Sequence, residues 1–359
     1  METKAYLVLE NGQSFEGFAF GASGEVIGEI VFTTGMTGYI ETLTDKSYCG
    51  QIITQTFPLI GNYGIIPEDF ESTVVSARGY IVKNWCQEPS NFRCEGTLDT
   101  FLKEKNVVGL YGIDTRELTK ILREQGTMNG MITTDLSRAD LDKIKAFSLN
   151  DEVQTVSSKE ITVLNEGGKY DVALIDFGYK ENIVRELVER DCKITVFPQD
   201  TTAAEIIAAK PQGIMLSNGP GDPKSNTEVI ENLKKLTQSG IPIFGICLGH
   251  QLIALSFGFE TEKLKYGHRG ANQPAKDIST GRTYITSQNH GYTVSIDSID
   301  KNIAELWFVN VNDQTCEGIK YTGKPIFTVQ FHPEGCSGPQ DTGYLFDKFI
   351  EEVDSYAAM

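Results

Sequence analysis

Residues 241–252 read IPIFGICLGHQL, and Cys247 stands between Gly245 and Gly249 with one residue on each side. An apolar run leads into the first glycine, and an apolar segment of helical spacing leaves the second. G-x-C-x-G between a strand and a helix is the cysteine counterpart of the nucleophile elbow. The flanking glycines let a sharp turn close without a Cβ clash, so the side chain projects above the sheet. A free cysteine is more often a small buried hydrophobe. The strand–turn–helix setting points instead to a nucleophile, and none of the other six cysteines has it.

Working outward, the flanking sequence alternates strand and helix. DVALIDFG is followed by a helical pattern carrying Ile183, Val184, Leu187 and Val188. KITVFP, TTAAEIIAAK, the strand and glycine-rich loop GIMLSNGPGDP, and NTEVIENLKKLTQSG come next. Such alternation predicts a parallel sheet covered on both faces, with ligands bound beyond the carboxyl ends of its strands. The loop Gly219–Pro223 and Cys247 both fall at carboxyl ends. RTYITSQNHGYTVSI and KPIFTVQFHPEG add later strands.

The first ~135 residues read as β-rich, with a hairpin at Asn11-Gly12 and strands in EIVFTT and QIITQTF. DTRELTKILREQG is a helix capped by Asp114 with Glu117 in the capping-box position, and Gly126 stops it. SRADLDKIKAF predicts a further helix. The polar stretch 148–169 reads as a linker, which sets domains at 1–147 and 170–359. A length of 359 residues suits two domains.

Composition excludes several classes. The formal net charge of −17 disfavours nucleic acid and anionic membrane, which need basic patches. No stretch approaches the ~20 apolar residues of a membrane span. METKAYLVLENG lacks the apolar run and cleavage site of a signal peptide. Seven widely spaced cysteines, an odd count, fit reduced thiols in a cytoplasm.

A thiol of pKa ~8.5 is mostly protonated at neutral pH. A helix N-terminus favours the anion by only ~0.3–1 kcal/mol, so an imidazole must take the proton. The chain has four histidines. His250 lies one turn along the helix from Cys247 and reads as structural. His268 in YGHRG and His290 in QNHGY read as loop residues near the site. His332 ends the strand IFTVQF, and Pro333 stops the ladder. Glu334, two residues on, shares its face in an extended segment and can fix its tautomer. Cys247, His332 and Glu334 thus form a candidate triad. The N–H of Leu248 and one from Gly219 or Gly221 are candidate oxyanion donors. Gly318–Lys324 has P-loop spacing, but Pro325 replaces the Ser/Thr and a strand follows, so it reads as a turn. Cys247 and His250 lack a second ligand pair for zinc, so no metal is expected.

Taken together, LSNGPGDP, FGICLGHQL and FHPEG resemble the class I, triad-type glutamine amidotransferases. MTGYIETLTDKSYCGQI, GIDTRELTKILREQGTMNG and DFGYKENI resemble the glutamine-hydrolysing small chains of carbamoyl phosphate synthase, over nearly the whole chain. The resemblance implies a flavodoxin-like, doubly wound, mostly parallel α/β sheet behind a β-rich N-terminal domain. It implies that Cys247 attacks the side-chain amide of L-glutamine and that water frees glutamate from the thioester. The implied glutamine site comprises Ser47 from the N-terminal domain, Gly219, Gly221, Leu248, Gln251, Asn289, Gly291 and Tyr292. The family often has Phe at the last position. Cys336 places a second thiol just after the triad glutamate. The implied partner is a large ATP-grasp synthetase chain that holds ATP and Mg²⁺, with no cofactor in this chain. The implied product feeds pyrimidine and arginine synthesis in the cytoplasm. Two other readings stand beside this one: the amidotransferase subunit of another synthetase, and a stand-alone cysteine amidohydrolase.

Overall fold

The computed structural model describes residues 2–358, and the chain folds as two compact units, Met1–Leu149 and Asn150–Met359. In the first unit seven strands close a barrel. In chain order they are β1 Lys4–Leu9, β2 Ser14–Gly21, β3 Val26–Thr33, β4 Gln51–Gln55, β5 Gly79–Val82, β6 Val108–Tyr111 and β7 Met128–Thr133. Their order around the barrel is β1-β2-β6-β5-β4-β3-β7, and β7 pairs antiparallel with β1 to close it. Closure removes the unpaired edges that an open sheet would leave. Leu7, Leu9, Ile30, Ile52 and Leu110 are completely buried. Gly12 turns the first hairpin at φ 86, a conformation that glycine adopts without steric cost.

Helix α1, Thr115–Gln125, starts where Asp114 accepts the N–H of Glu117 and stops at Gly126, φ 98. The Glu117 carboxylate pairs with Lys120. The helix predicted over SRADLDKIKAF is a short 3-10 turn, Leu136–Arg138, and a separate helix Leu141–Ala146. Asp140 between them caps the second through the N–H groups of Asp142 and Lys143, and so begins a new helix there.

The second unit is built on a ten-stranded sheet. Its strands are β8 Thr162–Leu164, β9 Tyr170–Asp176, β10 Cys192–Pro198, β11 Gly213–Leu216, β12 Ile243–Ile246, β13 Thr261–Asp277, β14 Thr283–Val294, β15 Ala304–Asn310, β16 Cys316–Tyr321 and β17 Ile326–Val329. The order is β8-β10-β9-β11-β12-β17-β16-β15-β13-β14. The five strands from β10 to β17 are parallel. By first appearance they run 2-1-3-4-5, the flavodoxin-like order. Antiparallel strands extend this core on both sides.

Alternate residues of the parallel strands enter different cores, which is why the strands read as continuous apolar runs. Ala173, Ile175, Ile214, Leu216 and Ile243 pack with Ala203, Val229, Leu233 and Leu252. Those partners come from helices α4 Ala203–Ala208, α5 Thr227–Leu236 and α6 Leu248–Ser256. Val172, Leu174, Met215, Phe244 and Ile246 pack with Ile183, Leu187, Phe346 and Phe349. Those partners lie on α3 Glu181–Glu189 and α7 Tyr344–Ala357. The stretch expected as a linker carries helix α2, Glu152–Val156, whose Val153 and Val156 are buried, and strand β8, antiparallel to β10.

Candidate active site

Cys247 links β12 to α6 at φ 53 and ψ −102. This left-handed backbone stores ~1–3 kcal/mol of strain that the surroundings must hold. They do so on several sides. The Cys247 N–H donates to Val329 O at 2.9 Å, and the Gly249 N–H to Ser217 O at 3.1 Å. A Cβ on Gly245 would sit 3.0 Å from the Gly249 carbonyl, and one on Gly249 would sit 2.6 Å from Leu216 O. The glycines are therefore required by close backbone approach. The thiol itself is buried, with Sγ 3.7 Å from the carbonyl oxygen of Asn289.

His332 leaves the neighbouring strand β17 at the same end. Its N–H donates to Ser287 O at 2.9 Å, and its ring is buried. Nδ1 lies 2.6 Å from Glu334 Oε1. With Glu334 ionised, Nδ1 carries the proton and Nε2 keeps its lone pair. Among the described residues Nε2 has no hydrogen-bond partner. Burial pushes the Glu334 pKa up, but His332 and Lys180 outweigh it and hold the carboxyl below its ordinary range. Those contacts give the geometry of a base oriented by a carboxylate.

The loop after β11 is fixed against β9. Ser217 Oγ accepts the Phe177 N–H at 2.9 Å, and Asn218 Oδ1 accepts the Lys180 N–H at 3.1 Å. A Cβ on Gly219 would enter Phe177 O and crowd Leu248 Cδ2, so the loop runs directly over the start of α6. Gly221, φ 86, lies against the carboxylate of Glu152. Gln251 on α6 donates to Tyr292 O at 2.8 Å and to Gln330 Oε1 at 2.9 Å. Its amide protons therefore hold the segment that carries Asn289, Gly291 and Tyr292. Ser47 belongs to the first unit, where its N–H donates to Asp45 Oδ1 at 2.8 Å.

The other histidines have different work. His250 is completely buried beside Thr328, with Nδ1 2.8 Å from its hydroxyl, and burial pushes its pKa down to about 3. It stays neutral and structural. His268 and His290, expected in loops, lie opposite each other on β13 and β14. Register shifts on both sides of this pair, with Gly267 and Gly270 at positive φ, break the strand pattern in the sequence. His268 Nε2 pairs with Asp313 at 2.7 Å. Burial opposes its charge, but Asp313 and Glu317 raise its pKa to about 9. His290 is held neutral, its pKa driven down by burial first and then by His268.

His268, His290 and Glu317 bring possible metal-ligand atoms within 4.8 Å of one another. The His290 nitrogens face Tyr292 O at 2.7 Å and Gln288 Oε1 at 3.0 Å. We read the cluster as a polar network that braces the Asn289–Tyr292 strand. Sequence reasoning missed Lys180, Gln288, Asp313, Glu317 and Gln330. Only the buried end of DFGYK, beside a candidate triad, offered a signal. The P-loop-like stretch is the hairpin between β16 and β17, turned at Gly323, φ 68.

Two family patterns match: "Carbamoyl-phosphate synthase small chain, CPSase domain" over residues 7–132, and "Glutamine amidotransferase class-I" over residues 173–352. A carbamoyl phosphate synthase small chain of Clostridium perfringens is 54% identical over 97% of this chain and 99% of its own. The chain belongs to the carbamoyl phosphate synthase small chains. The Fusobacterium nucleatum small chain is 50% identical, covering 97% of this chain and 98% of its own. The Bacillus subtilis relative, a "pyrimidine-specific small chain", is 50% identical over 98% and 97%. In this small chain the boundary between the two patterns lies where the two compact units meet in sequence. No helix among the described residues is long and apolar enough to cross a membrane.

Proposed function

We propose that this small chain is the glutaminase half of a carbamoyl phosphate synthase. The Cys247 thiol gives its proton to His332 Nε2 and attacks the amide carbon of L-glutamine. The oxyanion is held by the Leu248 N–H and one from the Gly219–Gly221 loop. His332 then protonates the departing ammonia, and water, activated by the same imidazole, hydrolyses the thioester to glutamate. Gln251, Asn289, Gly291 and Tyr292 bind the amino-acid end of the substrate. The observation that carries this reading is the strained Cys247 elbow on the strand beside the one that ends in the buried His332–Glu334 pair.

Ammonia then passes to a large ATP-grasp chain that binds ATP, Mg²⁺ and bicarbonate and makes carbamoyl phosphate. This chain works without a cofactor of its own, and its product serves pyrimidine and arginine synthesis. An odd number of widely spaced cysteines, seven, supports a reducing, cytoplasmic setting. The test is the complex carrying Cys247→Ala. It should make carbamoyl phosphate from added ammonia and none from glutamine. Failure with both donors would refute the division of labour, and so would synthesis by this chain alone.

A further inference from the structure

Glu334 is a carboxylate in an unfavourable place. Its side chain is 0% exposed. Oε1 accepts from His332, and Oε2 has no hydrogen-bond partner among the described residues. A buried carboxylate with so few donors drifts towards its neutral form. Neutral Glu334 could not stabilise the imidazolium that forms when His332 takes the thiol proton.

The compensating charge comes from outside the triad. Lys180 Nζ lies 3.6 Å from Glu334 Oε1, and its side chain is 11% exposed. The backbone around it is tightly held. Asp176 Oδ1 accepts the N–H groups of Gly178 and Tyr179 at 2.7 and 2.9 Å, and Asn218 Nδ2 donates to Gly178 O at 3.2 Å. Asn182, two residues on, donates to Glu334 O at 3.2 Å. One short turn therefore fixes both the lysine and the glutamate backbone. Two further charged groups of α3 lie around this point: Glu186, close enough for Glu334 to disfavour its ionisation, pairs with Arg190 at 2.5 Å, and Arg185 donates to Asn182 Oδ1 at 2.5 Å.

We propose that Lys180 is a positioning residue for glutamine hydrolysis: its buried ammonium keeps Glu334 ionised, and so keeps the proton of neutral His332 on Nδ1. This rests on the reading of Cys247, His332 and Glu334 as the triad. An opposite charge at this range moves a carboxyl by about one to three pH units. Removing it raises the pH below which Glu334 protonates, so activity is lost earlier on acidification.

The experiment measures glutaminase kcat and KM from pH 5 to 9 for the full chain with its large partner. The variants are Lys180→Met, Lys180→Arg, Glu334→Gln, the Lys180→Met/Glu334→Gln double variant and Cys247→Ala, each with a thermal midpoint. Lys180→Met should move the acid limb of kcat up by about one unit or more and lower kcat at neutral pH roughly tenfold, with KM near wild type. Lys180→Arg should restore the limb. In the Glu334→Gln background Lys180→Met should move nothing further. An unmoved limb in Lys180→Met overturns the proposal. So does an equal shift without Glu334, since the lysine would then act on His332 directly. A loss shared by Met and Arg that follows the thermal midpoint also overturns it. Glutaminase activity retained by Cys247→Ala overturns the triad reading itself.

Discussion

At the residue scale the proposed chemistry rests on one proton held in one place. The 2.6 Å contact between His332 Nδ1 and Glu334 Oε1 leaves Nε2 as the proposed base. His332→Asn keeps a polar side chain but removes the base. It should lower kcat about as far as Cys247→Ala, because triad members act as a unit. Glu334→Gln keeps the imidazole but allows the wrong tautomer, and should cost about 10²–10⁴ in kcat. Steady-state glutamate release checks both. An equally severe loss in His250→Asn, with glutamine binding intact, would show that the wrong histidine had been chosen. His250, neutral and fixed on Thr328, gives no such expectation. The Cys247 elbow and the His332–Glu334 pair were legible because they sit in short local patterns, G-x-C-x-G and H-P-E. Lys180 was not, since its role comes from a contact 154 positions away along the chain, visible only once α3 packs beside the β17 end.

At the scale of elements, the elbow and the β13–β14 hairpin make separate demands. Gly249→Ala forces a methyl against Leu216 O, a backbone atom that cannot yield cheaply. It should destabilise the protein by ~1–3 kcal/mol and reduce turnover with it. Gly167→Ala meets nothing within 4 Å and should stay within ~0.5 kcal/mol of wild type. Thermal denaturation distinguishes them. His268 makes a pH prediction. Its folded pKa, about 9, lies above its unfolded value near 6.5. Its stabilising effect is therefore complete below about 6.5 and lost as pH rises through about 9. The thermal midpoint of wild type should fall across that window more than that of His268→Asn. Parallel curves would contradict the Asp313–His268–Glu317 network as its source. Of the hairpin's two strands, β14 is legible in RTYITSQNHGYTVSI, but β13 is not, because bulges beside Gly267 and Gly270 interrupt the alternation that marks a strand.

For the whole molecule, the sequence told most about the parallel core. Its strands are buried on both faces and punctuated by helix-stop glycines such as Gly240 and Gly258, so pattern and fold agree. The closed barrel of the first unit was visible only as β-rich, because closure depends on pairings such as β1 with β7 across more than 120 residues. The antiparallel extension of the large sheet was hidden for the same reason. These long-range pairings bring Val329 beside Cys247 and Ser287 beside His332, and so assemble the site from segments far apart in sequence. The central claim is that Cys247 carries the glutamyl group between ammonia release and hydrolysis. It is tested most directly by acid-quenching the working complex during turnover of glutamine and mapping the adduct by peptide mass spectrometry. A glutamyl thioester is expected on the peptide containing Cys247, and none in Cys247→Ala. Glutamate formation with no adduct at Cys247, or with the adduct on Cys336, would contradict it.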